Sequence, residues 1–143
     1  LKPVLADASI KPRPQDIAWM RDAFNDLLKI RRSSTLFRMR TAKDVEARLS
    51  FRNVGPGQNP VVIAAHLDGN GYAGAGFREV LYLINVSPQA QTLALPEERR
   101  KAYVLHPVQR EAAADARPRA ARYRGRDGRF AIPPRTAVVF GVE

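Results

Sequence analysis

The sequence of 143 residues contains no cysteine. This absence excludes disulfide bonds, thiolate metal ligands and redox chemistry on a thiol, but it leaves the compartment open. No apolar run approaches the roughly 18 residues of a membrane-spanning helix, and no signal-peptide pattern is present. We therefore expect no contact with a membrane and assign no localisation.

Acidic residues are scarce, with 14 Asp and Glu against 24 Lys and Arg, which gives a formal net charge of +10. The basic residues concentrate in one cluster of six arginines: Arg117, Arg119, Arg122, Arg124, Arg126 and Arg129. Such a cluster permits nucleic-acid binding, which stays open as an alternative function. Nucleic-acid modules usually interleave their charge with stacking aromatics, however, and only Tyr123 lies inside the cluster. A solvated, arginine-rich loop over residues 110–126 is the favoured interpretation.

One segment, residues 16–34, has apolar residues at helical spacing. Its apolar stripe consists of Ile17, Met20, Phe24, Leu27 and Leu28. These residues repeat at i, i+3, i+7, i+10 and i+11, which places them on one helix face. Pro14 and Asp16 suit the start of a helix, and Arg31 and Arg32 suit its end. The sequence therefore predicts an N-terminal amphipathic helix.

A second apolar strip of the same helix contains Trp19, Ala23 and Ile30. Two interpretations of this strip are open, because it could fold into the domain's own core or face another domain. In either case Trp19 is a packing residue before it is a platform for a ligand.

Beyond the helix the pattern changes to the two-residue alternation of half-buried strands. The segment from Val45 to Arg52 alternates without a break and predicts the first strand. Further candidates are residues 61–67, 80–86, 91–95, 102–106, 129–132 and 136–142, separated by turn-forming residues. Because no second helical crossover lies between them, about seven short strands predict an antiparallel β-sandwich. Residues 111–121 are predicted to be a loop, since Pro118 interrupts them.

Five segments together carry a resemblance to a known family. They are residues 29–38 (KIRRSSTLFR), 49–53 (LSFRN) before Gly55-Pro56, 83–86 (LINV), 105–109 (LHPVQ) and 132–140 (IPPRTAVVF). In this order they are similar to the C-terminal region of bacterial pullulanase-type α-1,6-glucosidases, members of the α-amylase superfamily of glycoside hydrolases. Thr35 departs from the family pattern, which often has proline there, and the arginine-rich stretch from Arg110 to Arg126 has no counterpart.

The resemblance implies a division of the chain. Residues 1–15 are expected to be a loop leading from a catalytic (β/α)₈ barrel, residues 16–34 the last helix of that barrel, and residues 36–143 the appended β-sandwich. The implied function is that of a noncatalytic accessory domain, which stabilises an enzyme hydrolysing α-1,6 linkages in α-glucans. The implied partner is the barrel of the same polypeptide, and an isolated piece is expected to self-associate through the helix face.

No catalytic residue is assigned. Glycoside hydrolysis needs two carboxylates across the scissile bond, and in the resembled superfamily these come from barrel motifs that this chain lacks. His66-Leu67-Asp68 could orient a base, yet no nucleophile accompanies it. Residues 68–71 (DGNG) have oxygens that could attract calcium, but the missing further ligands favour a turn. We therefore expect neither a metal nor a cofactor.

Glucan binding is the remaining alternative, as an independent carbohydrate-binding module. Sugar platforms need exposed aromatic rings. Tyr82 and Tyr103 lie inside apolar runs and are expected to pack, and Trp19 belongs to the helix. Only Tyr72 and Tyr123 remain as candidates for contact with an α-glucan.

Overall fold

The first long element of the fold is helix α1, Pro14–Ser33. The computed structural model describes residues 6–143, so residues 1–5 of the predicted N-terminal loop lie outside the described part. Asp16 accepts a hydrogen bond from the backbone N–H of Arg13 at 2.9 Å, which caps the helix start. The predicted helix is therefore confirmed, with a start two residues earlier. Among residues 6–143, no helix is long and apolar enough to cross a membrane.

The strand predicted from Val45 is wrong over its first four residues. Helix α2, Ala42–Arg48, occupies them, and strand β1 is only Leu49–Phe51. The Thr41 hydroxyl accepts from the Asp44 N–H at 3.1 Å and so caps α2. Val45 and Leu49 are four residues apart, and this spacing fits both a helix and an alternating strand. The N-cap at Thr41 favours the helix.

Seven further strands follow β1. They are β2 (Val62–Asp68), β3 (Glu79–Asn85), β4 (Gln91–Ala94), β5 (Val104–Leu105), β6 (Arg122–Arg124), β7 (Arg129–Ile132) and β8 (Thr136–Val142). The larger sheet has the order β1-β2-β3-β8-β5, and the smaller sheet has the order β4-β7-β6. Every pairing in these sheets is antiparallel. The prediction of a mainly β, sandwich-like fold with one N-terminal amphipathic helix is confirmed.

The strand list differs from the sequence prediction at two places. Strand β6 lies within the arginine cluster, where its three residues are too short a run for alternation to reveal. The candidate over residues 102–106 contains only the two-residue strand β5. Residues 111–121 form turns and a short 3-10 segment, Pro118–Ala120, as expected for a loop. A short helix α3, Pro107–Arg110, precedes them.

Two hydrophobic clusters hold these layers together. The first fills the space between the sheets, where Leu81 and Phe140 of the larger sheet meet Phe130 of the smaller one. The second lies on the outer face of the larger sheet and includes Ile30 of α1 together with Val139. The C-terminal half of helix α1 therefore packs on the larger sheet through Ile30.

Candidate functional site

A polar cluster lies at one end of the sandwich. The side chain of Glu98 is fully buried, and Lys101 Nζ lies 2.7 Å from Glu98 Oε2 and 2.5 Å from Glu79 Oε2. His66 Nε2 lies 3.0 Å from the same Glu79 oxygen. Arg52 Nε donates to Glu98 Oε1 at 2.8 Å. The cluster thus balances two carboxylates against two fixed cations, as buried charge requires.

The pKa shifts in this cluster show which charges persist. Burial raises the pKa of Glu98, but hydrogen bonds from Lys101 and Tyr103 outweigh burial and leave the pKa below its usual value. Burial lowers the pKa of Lys101, but its bonds to Glu79 and Glu98 raise it above the ordinary value. Burial likewise raises the pKa of Glu79, but hydrogen bonds from Lys101 and His66 leave it below its usual value. Both carboxylates and the ammonium therefore stay ionised near neutral pH.

The donor atoms of His66, Glu79 and Glu98 lie within 4.8 Å of one another, an arrangement that could bind a metal ion. The ammonium of Lys101 contacts both carboxylates, however, and supplies the positive charge that such an ion would bring. A divalent cation would have to displace it. With both carboxylates bound to one lysine, the cluster is suited to joining segments of the fold rather than to acid–base chemistry.

The histidine His106 contacts a serine, a pairing that could resemble a catalytic dyad. Its Nδ1 accepts the Val108 N–H at 3.2 Å, so the ring proton lies on Nε2, which is 2.9 Å from Ser33 Oγ. Ser33 Oγ in turn donates to the carbonyl of Ile30 at 2.7 Å. Burial, followed by the charge of Arg110, lowers the pKa of His106 to about 4. The ring therefore donates to the serine and cannot serve as its base; the pair holds the end of α1 against α3.

The predicted pair of His66 and Asp68 does not form a unit. His66 contacts Glu79, while Asp68 Oδ1 accepts the Asn70 N–H at 2.9 Å within the turn. The DGNG segment is thus a turn, as the sequence predicted, and Gly71 has a φ of +67° that favours glycine.

An exposed apolar surface covers helix α1 and the neighbouring edge of the larger sheet. We call it the apolar face. Its members are Ile17, Met20, Phe24, Leu27 and Leu28 of α1, with Phe51, Ile63 and Val86 of the sheet region, each 44–60% exposed. Met20, Phe24 and Leu27 line one groove together with Ile84 and Val86, so the helix and sheet parts of the face are continuous. A contiguous apolar surface of this kind marks an interaction site.

The second apolar strip of α1 lies against this domain. Ile30 is 4% exposed and belongs to the outer cluster. Ala23 is half-buried and lines a small cavity with Pro118. Trp19 lies under the guanidinium of Arg117, whose central carbon is 4.3 Å from the ring centroid. These three residues therefore contact other parts of the described domain, although Trp19 stays 41% exposed, whereas the stripe of Ile17 to Leu28 is largely exposed.

A further apolar groove of about 630 Å³ continues the apolar face between the end of α1 and the larger sheet. Its lining includes Leu27, Phe37, Tyr82 and Val139. Sequence reasoning missed it, because its walls come from segments distant in the chain.

The two aromatic candidates for glucan contact are engaged in packing. Tyr123 stacks on Phe130 with ring centroids 4.6 Å apart, and its hydroxyl donates to the Glu98 carbonyl. Tyr72 is half-buried, and the guanidinium carbon of Arg48 lies 4.5 Å from its ring centroid. Each ring therefore has one face occupied by a side chain of this domain.

The arginine cluster divides into two structural groups. Arg117 pairs with Asp115 at 2.8 Å, Arg119 donates to the Glu111 carbonyl at 2.7 Å, and Arg122 donates to the Arg119 carbonyl at 2.7 Å. These three hold the 111–121 loop in place. The remaining members lie on the hairpin of β6 and β7.

Comparison with known proteins finds relatives of this chain among pullulanases. Residues 1–143 match the family described as α-1,6-glucosidases, pullulanase-type, C-terminal. The chain is 32% identical over 148 residues to the chloroplastic pullulanase 1 of Arabidopsis thaliana, covering 98% of this chain and 15% of that protein.

Solved structures share the fold. The pullulanase of Klebsiella pneumoniae complexed with maltotriose has a TM-score of 0.78 and 23% identity, covering 92% of this chain and 12% of that one. The pullulanase of Bacillus acidopullulyticus has a TM-score of 0.59 and 16% identity, covering 84% and 13%. The chain thus spans about one seventh of the length of these relatives.

Proposed function

Because the chain belongs to the family of C-terminal domains of pullulanase-type α-1,6-glucosidases, we propose that it is the noncatalytic domain that stabilises the catalytic barrel of an α-glucan debranching enzyme. The reaction of that enzyme is hydrolysis of α-1,6-glucosidic linkages. This chain supplies no residue to the reaction; its contribution is a surface on which the barrel packs.

The apolar face is the observation that carries the proposal. Phe24 and Met20 are each 58% exposed although they occupy the main stripe of an amphipathic helix. Burying such side chains gives roughly 1.5–3 kcal/mol each, and the described residues leave this gain unrealised. A domain that spans about one seventh of its relatives has the rest of the polypeptide available to cover the face.

The same geometry supports the proposed domain boundary. Helix α1 (predicted as residues 16–34) packs on the sandwich through Ile30 at one side and exposes its main stripe at the other. It would therefore be the barrel's last helix, shared between both domains, with residues 36–143 forming the accessory sandwich. Residues 1–15 would lead in from the barrel.

The test is made in the full-length enzyme with Met20→Ser and Phe24→Ser combined. We expect a lower thermal unfolding temperature and a lower yield of folded enzyme. At temperatures where the variant is folded, kcat and KM on an α-1,6-branched glucan should be unchanged, because no reacting atom is touched. Deletion of residues 36–143 should lower stability or yield further.

The matched control is Arg21→Ser with Asp22→Ser on the same helix, where the two side chains form an exposed ion pair with each other. This control should leave stability within about 0.5 kcal/mol of the parent. Equal stability of the apolar variant and the control would contradict a docking role, as would normal stability and activity after the deletion.

A further inference from the structure

A cluster of five exposed arginines surrounds the β6–β7 hairpin. We call it the arginine face; it consists of Arg99, Arg100, Arg124, Arg126 and Arg129. Arg124 and Arg129 are directly opposite in the register of β6 and β7. The Arg100 N–H donates to the Gly125 carbonyl at 2.8 Å, which fixes the 95–100 segment against the hairpin. Arg99 packs beside Gly128, since a Cβ there would lie 3.2 Å from Arg99 Cγ.

The charge on this face is not neutralised within the described chain. Asp127 pairs with Arg124 and lies 3.5 Å from Arg129. The side chains of Arg99, Arg100 and Arg126 form no hydrogen bond or ion pair with residues 6–143. With Glu97 as the other nearby acid, three positive charges remain in excess. Asp127 offsets the repulsion between the opposed Arg124 and Arg129, so the uncompensated charge lies mainly on Arg99, Arg100 and Arg126.

The arginine face is on the side of the molecule opposite the apolar face. It belongs to the smaller sheet, whereas the apolar face extends from the outer surface of the larger sheet. A barrel that covers the larger sheet would leave the arginines open to solvent. The exposed positions next to them on the smaller sheet include the small residues Thr92, Ala94 and Ala131. Arg122 lies opposite Ala131.

The chemistry of this surface suits an anionic ligand such as a phosphate. Guanidinium groups bind phosphate oxygens through paired, charge-assisted hydrogen bonds. The outward positions of β4, β6 and β7 include no aromatic residue on which a base could stack, which disfavours single-stranded nucleic acid. A neutral sugar would leave several guanidinium groups without an anionic partner.

We propose that the arginine face binds phosphate monoesters carried on α-glucan chains. The choice of an α-glucan as the carrier of the phosphate rests on the proposed function. The preference for phosphate rests on the arginines. Binding there would hold a phosphorylated polymer on the far side of the domain from the barrel contact, as an attachment point separate from the catalytic centre.

The experiment uses the full-length enzyme and three probes: a phosphate-esterified amylopectin, the same polymer after phosphatase treatment, and a short duplex DNA. We expect tighter binding of the esterified polymer, weakening as salt rises. Combined Arg99→Gln and Arg126→Gln should raise its Kd on the order of tenfold. Neither guanidinium is bonded within residues 6–143, and glutamine keeps the Cγ that packs beside Gly128, so thermal stability should not change.

The control variant is Arg40→Gln with Arg110→Gln, which removes the same charge from two exposed arginines outside the arginine face. It should keep the preference for the esterified polymer. Equal binding of both polymers, or equal loss in both variants, would overturn the proposal. Tighter binding of the DNA through Arg99 and Arg126 would overturn it in favour of a nucleic-acid surface. The proposed stabilising function is tested separately. It would be contradicted if the apolar-face variant Met20→Ser with Phe24→Ser were as stable as its control.

Discussion

The guanidinium carbon of Arg117 lies 4.3 Å from the centroid of the Trp19 ring. This contact joins the N-terminal half of helix α1 to the arginine-rich loop, because Arg117 is also paired with Asp115. The buried side chain of Ile30 is a second attachment point, near the other end of the helix. The orientation of α1, and with it the exposure of the apolar face, depends on both anchors.

Trp19→Ala tests the first anchor. A cation–π contact at a partly exposed site contributes about 0.5–1 kcal/mol, and the lost packing adds to it. We expect the free energy of unfolding of the chain, measured by urea denaturation, to fall by about 1–2 kcal/mol. Phe24→Ala is the matched control, since Phe24 is 58% exposed, and should change it by less than about 0.5 kcal/mol. If both variants lose the same stability, Trp19 does not anchor the helix.

Lys101→Met tests the polar cluster. The substitution leaves the carboxylates of Glu79 and Glu98 without their shared cation, and breaking a buried ion pair costs about 3–5 kcal/mol. Because Glu79 is partly exposed, we expect the lower end of this range in the free energy of unfolding. The control is Lys29→Met, where the pair with Asp26 lies on the helix surface and should contribute less than about 0.5 kcal/mol. A small effect of Lys101→Met would mean that Arg52 alone balances the cluster.

The lowered pKa of His106 predicts a pH dependence of stability. The unfolded chain binds a proton near pH 6.5 and the folded chain only near pH 4, so stability is full above pH 6.5 and falls as the pH drops toward 4. The shift corresponds to a loss on the order of 3 kcal/mol. The carboxylates with lowered pKa values lose their contributions below about pH 4.5, so the interval between pH 6.5 and 4.5 reports on the histidine.

Urea denaturation across that interval provides the measurement. The chain should lose stability steadily as the pH falls, and His106→Gln should be less stable at pH 7 but should show a flatter profile. A slope that is the same in both proteins would assign the pH dependence to another group.

Much of the fold is readable from local sequence. The stripe from Ile17 to Leu28 predicted helix α1, and the alternating or continuous apolar runs predicted β2, β3, β4, β7 and β8. These elements are long enough for a period to be visible. Helix α2 was hidden because Val45 and Leu49 fit both periods, although the Thr41-x-x-Asp44 capping pattern could have revealed it. Strand β6 was hidden because three residues give no period at all.

The candidate sites depended more on tertiary contacts. Tyr123 was a candidate for glucan contact because it lies in a polar segment, but the fold stacks it on Phe130. The sequence pattern did not predict the cluster of Glu79, Glu98 and Lys101, because single charged residues at strand and turn ends usually face solvent. Only the convergence of β3 and the 96–101 segment places them together.

The sequence by itself determined the helix, the sheet-forming segments and the resemblance to the pullulanase-type family, because periodicity and motif order are properties of the chain. Tertiary structure decided which side of helix α1 stays exposed, since amphipathic periodicity identifies an apolar stripe without saying whether it faces this domain or another. It also decided which arginines remain free to bind an anion, because pairing depends on the acids and carbonyls that folding brings within reach.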